Sequence, residues 1–158
     1  MSIFRRIFRF PMKVRLRHIF RIGILLEEQG EAFYRSLSRR LSNPESEKLC
    51  LTLADDEARH RQLLEQALRR WIQIPISETE YKVLERNLQS KDIFSNPPSA
   101  NASLQEVIQY AIEQENKSVE FYQSFEKSFD SDTWKLMHLQ DLVREERAHA
   151  DKLSSILV

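Results

Sequence analysis

The chain has 158 residues, the size of one domain, and its 24 basic side chains balance 24 acidic ones. A single cysteine, Cys50, excludes an internal disulfide, a Cys₄ zinc or rubredoxin-type site and a Cys-ligated iron–sulfur cluster. The balanced charge argues against a disordered chain, and the low content of glycine and proline argues against a turn-rich β fold. The composition therefore predicts a soluble helical domain in a reducing, cytoplasmic compartment.

The first 21 residues differ in charge from the rest of the chain. They hold seven Arg and Lys side chains and no acid, whereas the remaining 137 residues hold 17 basic against 24 acidic side chains. Within residues 1–11, apolar side chains fall on one helical side and arginines on the other, as in helices that lie on a membrane surface. We expect a basic amphipathic segment, residues 1–20, and a helical body, residues 21–158. A flexible tail, a docking segment for a second subunit and a nucleic-acid-binding arm are the alternatives for the segment.

Four proline-free stretches of the body place apolar side chains at steps of three and four residues, which is the helical period. They span residues 18–42, 45–72, 103–129 and 131–157. Ser103 and Glu106 predict a capping box at the start of the third helix. The short connections predict two antiparallel hairpins, whereas the middle connection of about 30 residues can run the length of the bundle. Within it, residues 78–88 predict a short helix. The fold class is thus all-α, a four-helix bundle with a long crossover between helices 2 and 3.

The two predicted hairpins carry the same pattern of polar and aromatic side chains. One set recurs after 88 residues and a Glu-x-x-His pair recurs after 89 residues. The set Ile24, Glu27, Phe33 and Tyr34 recurs as Ile112, Glu115, Phe121 and Tyr122, and the pair Glu57 and His60 recurs as Glu146 and His149. Such a repeat predicts two structural copies related by a pseudo-twofold axis.

The repeated polar side chains are candidate metal ligands. Each Glu-x-x-His pair places a carboxylate and an imidazole on one helix face, and Glu27 and Glu115 lie on the apolar stripes of the other two helices. At mid-height of the bundle, four carboxylates are costly to bury unless they are paired, protonated or metal-bound. Two divalent cations neutralise them, and oxygen and imidazole ligands without thiolate suit Fe or Mn. The alternative, solvated surface charges, conflicts with the leucines on the same stripes. We therefore predict two Fe ions, with Mn as the alternative, on Glu27, Glu57, His60, Glu115, Glu146 and His149.

Neighbouring residues are candidates for supporting roles. Asp56 and Glu145 each precede the Glu of one motif, and a ligating histidine usually donates its other N–H to such a carboxylate. Tyr34 and Tyr122 either hydrogen-bond ligand carboxylates or pack in the core. Gly30 either admits substrate or allows close helix packing, and packing is the favoured interpretation.

Four segments of the chain resemble motifs of the rubrerythrin-like branch of the ferritin-like superfamily. They read EEQGEAFY at 27–34, DEARH at 56–60, ENKSVEFY at 115–122 and EERAH at 145–149. The resemblance covers about residues 20–157 and implies a ferritin-like bundle that oxidises Fe(II) with peroxide or O₂ and often reduces peroxide. It also implies that Glu57 and Glu146 bridge two irons and that the other four candidates are terminal ligands. No catalytic residue beyond the ligands is expected.

The chain departs from full-length rubrerythrins at two positions. Cys50 alone cannot form their Cys₄ rubredoxin module, so any electron donor is expected to be another protein. Ser118 stands where rubrerythrins carry an extra Glu, three residues after the third-helix ligand. This difference favours a simpler relative without their redox-dependent iron shift.

Three functional hypotheses follow from these observations. The first is a di-iron oxidoreductase, a ferroxidase or peroxidase in oxidative-stress defence or iron handling. The second is an iron-binding protein for storage or delivery without reductive turnover, and the third is a metal-free helical scaffold. The expected partners are peroxide or O₂, an external electron-donor protein and a second copy of the chain in a homodimer. Membrane-surface contact is expected through residues 1–21, and nucleic acid is a disfavoured partner.

Overall fold

A computed structural model of the protein describes residues 12–71, 77–124 and 138–157. The regular secondary structure of these residues consists of α-helices and one short 3₁₀ turn, and this part of the chain contains no β-strand. The helices are α1 (Met12–Ser38), α2 (Pro44–Trp71), α3 (Glu78–Lys91), α4 (Leu104–Gln123) and α5 (Leu139–Ser154), and the 3₁₀ turn is Ser155–Leu157. The predicted all-α fold is confirmed.

The first hairpin turns between α1 and α2. α1 ends at Ser38, four residues before the predicted end at residue 42, because the chain must turn before Asn43 can cap α2. The side-chain oxygen of Asn43 accepts hydrogen bonds from the backbone N–H groups of Glu45 at 2.9 Å and Ser46 at 3.2 Å. Pro44 occupies the first helical position, where its missing N–H costs no hydrogen bond.

The first half of α1 contributes buried side chains to the core of the bundle. α1 begins at Met12, six residues before the predicted start, and Ile19 and Phe20 are buried. The predicted boundary between residues 20 and 21 therefore falls within one continuous helix. Residues 1–11, which carry the predicted amphipathic pattern, lie outside the described residues, so the surface-anchor hypothesis stays a prediction. None of the described helices is long and apolar enough to cross a membrane.

The crossover between the hairpins contains the predicted short helix, α3, which packs on α1. The guanidinium of Arg21 lies 5.0 Å from the ring centroid of Tyr81, a cation–π contact between these two helices. After α3, the side chains of Ile93 and Phe94 are buried, and Phe94 has a left-handed backbone with φ 53°. The backbone N–H of Phe94 donates to Gln114 Oε1 at 2.8 Å, so the crossover is also fastened to α4.

The second hairpin begins with the predicted capping box. Glu106 N–H donates to Ser103 Oγ at 3.2 Å, and Ser103 N–H donates to Glu106 Oε2 at 2.7 Å. The prediction of one helix over residues 131–157 is wrong in that α5 begins only at Leu139, because His138 directly before it has a left-handed backbone with φ 55°. The predicted helical residues 125–129 and 131–137 lie outside the described part of the chain.

Contacts across the bundle show how the helices run. Two contacts between each pair of helices define their relative direction: the contact that comes later along one helix comes earlier along the other. By this criterion α1 is antiparallel to α2 and to α4, and α2 is antiparallel to α5. The pairs are Glu27–His60 and Arg35–Asp55, Tyr34–Glu115 and Glu27–Tyr122, and His60–Glu145 and Asp56–His149. α1 therefore runs parallel to α5, as a crossover along the whole bundle requires.

Candidate metal centre

The six predicted ligands meet in the interior of the bundle. α1 and α4 each supply one Glu, and α2 and α5 each supply one Glu and one His. Their relative exposures are 0 to 1% for Glu27, Glu57, His60, Glu115, Glu146 and His149. The helical period explains this convergence, because positions three residues apart lie on one face and each of these faces is the buried one. The structure therefore brings together all six residues, and the surface-charge alternative is wrong.

The ligand atoms form two groups that share two residues. One group contains Glu27 and His60, the other contains Glu115 and His149, and both contain Glu57 and Glu146. Within each group the four candidate atoms lie within 4.8 Å of one another. Because Glu57 and Glu146 belong to both groups, each can offer one oxygen to either side. If two cations were bound, Glu57 and Glu146 would be the residues able to contact both.

The inward-facing polar atoms of the six residues have no hydrogen-bond partner within the described part of the chain. They are Oε2 of Glu27 and Glu115, both side-chain oxygens of Glu57 and Glu146, and Nδ1 of His60 and His149. His60 Nδ1 lies 2.9 Å from Glu146 Oε1, but without the direction of a hydrogen bond. Buried polar atoms are nearly always hydrogen-bonded, and these eight have only His–Glu contacts of 2.9–3.7 Å, so they form an arrangement that two cations would complete. The residues fit a two-metal site.

Two carboxylates outside the groups orient the histidines. His60 Nε2 lies 2.8 Å from Glu145 Oε2, and His149 Nε2 lies 3.2 Å from Asp56 Oδ2. An acidic acceptor at Nε2 keeps a ring proton there, so Nδ1 is the nitrogen that would donate its lone pair to a bound cation after losing its own proton. Arg59 contacts both carboxylates, with its Nη2 at 3.1 Å from Asp56 Oδ1, and holds them together at the surface. The predicted hydrogen bonds of Asp56 and Glu145 to the candidate histidines are confirmed.

Two buried tyrosines bind the carboxylates of the opposite hairpin. The hydroxyl of Tyr34 donates to Glu115 Oε1, and that of Tyr122 donates to Glu27 Oε1. Each bond leaves the second carboxylate oxygen, Oε2, facing the interior. Of the two roles considered for these tyrosines, hydrogen bonding to the candidate ligands is confirmed.

Burial sets the protonation of the cluster in the absence of cations. Desolvation and the charge of Glu27 raise the pKa of Glu57 to about 8, and desolvation with the charge of Glu57 raises the pKa of Glu146 well above its usual value. Burial also acts to raise the pKa of Glu27, but contacts with Glu57 and a histidine outweigh it and lower that pKa. Burial acts to lower the pKa of His149, yet its bond to Asp56 raises it to about 12. Without cations, protons therefore occupy carboxylates and imidazoles of the cluster, and a binding cation must displace them.

The crossover contributes a wall of the site that sequence periodicity did not reveal. A Cβ added at Gly30 would lie 3.3 Å from Glu57 Cδ and 3.4 Å from Phe94 Cε2, so the phenyl ring and the carboxylate both contact this position. The ring centroids of Phe94 and Tyr34 are 5.9 Å apart. Gly30 thus allows close packing, which is the interpretation favoured from the sequence over substrate access. Phe94 lies in an irregular segment without a repeating pattern, so the sequence offered only its aromatic side chain as an indication that it is buried beside the site.

Comparison with known proteins gives one match. The sequence model of the Rubrerythrin family matches residues 19–157, which include every candidate ligand. Searches of curated proteins and of solved structures find no match.

Proposed function

The chain belongs to the Rubrerythrin family, and from this premise we propose that it is a di-iron carboxylate protein that oxidises Fe(II) with peroxide or O₂. Manganese is the alternative metal, because the same oxygen and imidazole donors suit both ions. The proposed activities are those of a ferroxidase and, with a reductant, a peroxidase. Oxidative-stress defence and iron handling are the proposed roles.

One observation supports this proposal above the others: eight unpaired, buried, inward-facing atoms on six residues. The six residues form two groups of four that share Glu57 and Glu146, so each of two cations would be held by one terminal Glu, one His and the two shared carboxylates. Two divalent cations carry the charge that neutralises the four carboxylates. A metal-free scaffold would hold these atoms in the interior with only protons and His–Glu contacts of 2.9–3.7 Å in place of hydrogen bonds, at a cost in folding free energy.

Two bound Fe(II) ions supply the two electrons that, with two protons, convert one peroxide molecule into two waters. The residues of the chain hold and tune that site. Glu145 and Asp56 keep the two imidazoles oriented, while Tyr34 and Tyr122 keep one oxygen of each terminal carboxylate occupied. The surrounding apolar core limits the access of water, which strengthens the electrostatic interactions within the site.

The proposed partners follow from the chemistry and from the sequence. Repeated peroxide reduction needs an external electron-donor protein, because the chain has one cysteine and cannot build a thiolate-bound electron-transfer centre of its own. We also propose a homodimer, a cytoplasmic location and contact with a membrane surface through residues 1–21.

Elemental analysis of protein purified from iron-replete cells tests the metal site directly. We expect about two metal ions per chain, and a chain that holds none after anaerobic Fe(II) addition would refute the proposal. Stopped-flow oxidation of the loaded protein with peroxide and with O₂ then identifies the oxidant. Sustained turnover with a reductant supports the peroxidase, whereas a single round of oxidation supports storage or delivery.

A further inference from the structure

Ser118 is a buried polar residue that the site described above does not use. It lies one turn after Glu115 and one turn before Tyr122 on α4, and its relative exposure is 0%. Glu115 Oε2 lies 3.7 Å from His149 Nδ1, and the Tyr122 hydroxyl donates to Glu27. Since the residues on both sides of Ser118 contact the ligand set, Ser118 faces the same interior space.

The hydroxyl of Ser118 has no hydrogen-bond partner among the described residues. A serine within a helix commonly donates to the backbone carbonyl four residues earlier, as Ser154 does to Ala150 at 2.8 Å. Ser118 makes no such bond. A buried unpaired hydroxyl destabilises the folded state, so its presence calls for a partner that binds from outside the chain.

The internal repeat shows how the two sides of the candidate metal site differ. Ser118 corresponds to Gly30, because both lie three residues after a terminal carboxylate candidate. At Gly30 even a single Cβ would lie within 3.4 Å of Phe94 and 3.3 Å of Glu57, so the α1 side is closed. On the α4 side a hydroxyl stands at the equivalent position. The two halves of the site therefore differ in one hydrogen-bond donor.

We propose that the Ser118 hydroxyl donates a hydrogen bond to a small exogenous ligand of the azide or hydroperoxide class, which binds the metal pair from the α4 side. This inference rests on the proposed di-metal function and assigns the side of ligand entry. A small anion bound at the metals would present an acceptor atom, and the buried Ser118 hydroxyl is a donor on the same helix face as the ligand Glu115. The site would then bind ligand asymmetrically, although its six metal ligands are arranged symmetrically.

Azide titration of the iron-loaded, oxidised protein, followed by its charge-transfer absorption, tests the inference. In a Ser118→Ala protein we expect the dissociation constant for azide to rise about five- to tenfold, the usual effect of losing one hydrogen bond. The iron content is expected to remain unchanged. Ser38→Ala is the matched control, because Ser38 is also buried and its hydroxyl donates to Arg35 O at 2.9 Å, outside both ligand groups.

The metal-free proteins provide a second measurement. Removing an unpaired hydroxyl is expected to raise the melting temperature of the Ser118→Ala protein by about 2–4 °C, whereas Ser38→Ala breaks an existing bond and is expected to lower it. Unchanged azide affinity in Ser118→Ala, with normal iron content, would overturn the inference and leave the proposed function intact. Loss of iron in this variant would also overturn it, because the hydroxyl would then support a protein ligand. A wild-type chain without metal would refute both.

Discussion

Replacing Glu57 with Ala is expected to disable both halves of the metal site at once. Glu57 belongs to both groups of ligand atoms, whereas His60 belongs to one. The substitution leaves three of four ligand residues in each group. It also leaves three carboxylates, rather than four, against two divalent cations. Loss of an outer partner of a metal ligand already weakens metal binding about 10- to 100-fold, so loss of a shared ligand is expected to cost at least about 100-fold at each metal.

The assay combines anaerobic Fe(II) titration with stopped-flow oxidation by peroxide and by O₂. We expect the Glu57→Ala protein to lose rapid Fe(II) oxidation, even where it retains one metal. The His60→Ala protein is expected to lose one iron selectively, since only a terminal ligand is removed. Loss of oxidation in one variant and selective loss of one iron in the other would show that Glu57 serves both metals and His60 serves one. A general loss of folding would affect both variants in the same way.

Glu31 provides a control, because it is an acidic residue on α1 that lies close to the candidate ligand Glu27. It lies one turn after Glu27 and forms ion pairs with Arg35 at 3.0 Å and Arg61 at 3.2 Å, outside both ligand groups. The Glu31→Ala protein is expected to oxidise Fe(II) nearly as fast as wild type, with a loss of about 1 kcal/mol or less in stability. Wild-type oxidation in Glu57→Ala, or an inactive Glu31→Ala protein, would show that the wrong helix face has been assigned to the metals.

Three further predictions concern stability, thiol chemistry and the N-terminal segment. Fe(II) or Mn(II) at about 100 times its dissociation constant is expected to stabilise the fold by about 2.7 kcal/mol and to raise the melting temperature by several degrees. Equal melting temperatures of chelated and metal-loaded samples would contradict the buried site. Burial raises the pKa of the Cys50 thiol to about 11, so alkylation between pH 8 and 10 is expected to be much slower in native than in denatured protein. Because the unfolded chain loses this proton first, Cys50 lowers stability as the pH rises above about 9. If residues 1–11 form a surface anchor, the full chain is expected to co-sediment with anionic vesicles at low salt, whereas a chain beginning at Met12 stays in solution; equal sedimentation would reject the anchor.

The sequence by itself determined the fold class and the residues that face the bundle interior. Spacings such as Glu57 to His60 place two side chains on one face of any α-helix, because the rise and twist of a helix are local properties of the backbone. The recurrence of this pair as Glu146 and His149 predicted convergence in the bundle interior rather than exposure on the surface. These expectations about position are confirmed, and metal binding itself remains the proposal.

Helix ends were predicted less well, because they depend on single backbone conformations and on the packing of the neighbouring helix. The start of α5 is set by the left-handed backbone of His138, which no periodic pattern announces. The end of α1 is set by the need for Asn43 to cap α2.

The tertiary structure alone decided which groups pair across the hairpins. His149 meets Asp56 and His60 meets Glu145, each on the opposite hairpin, because the offset of α2 against α5 places these pairs at one level. That offset is a property of packing between helices distant in sequence. The contact of Phe94 with Gly30 likewise depends on long-range packing, because a hydrogen bond to α4 holds the crossover in place. The lack of a partner for the Ser118 hydroxyl among the described residues also depends on tertiary structure, because it is defined by neighbours distant in sequence. Local spacing thus determined the members of the site, and long-range packing decided their partners and the difference between its two sides.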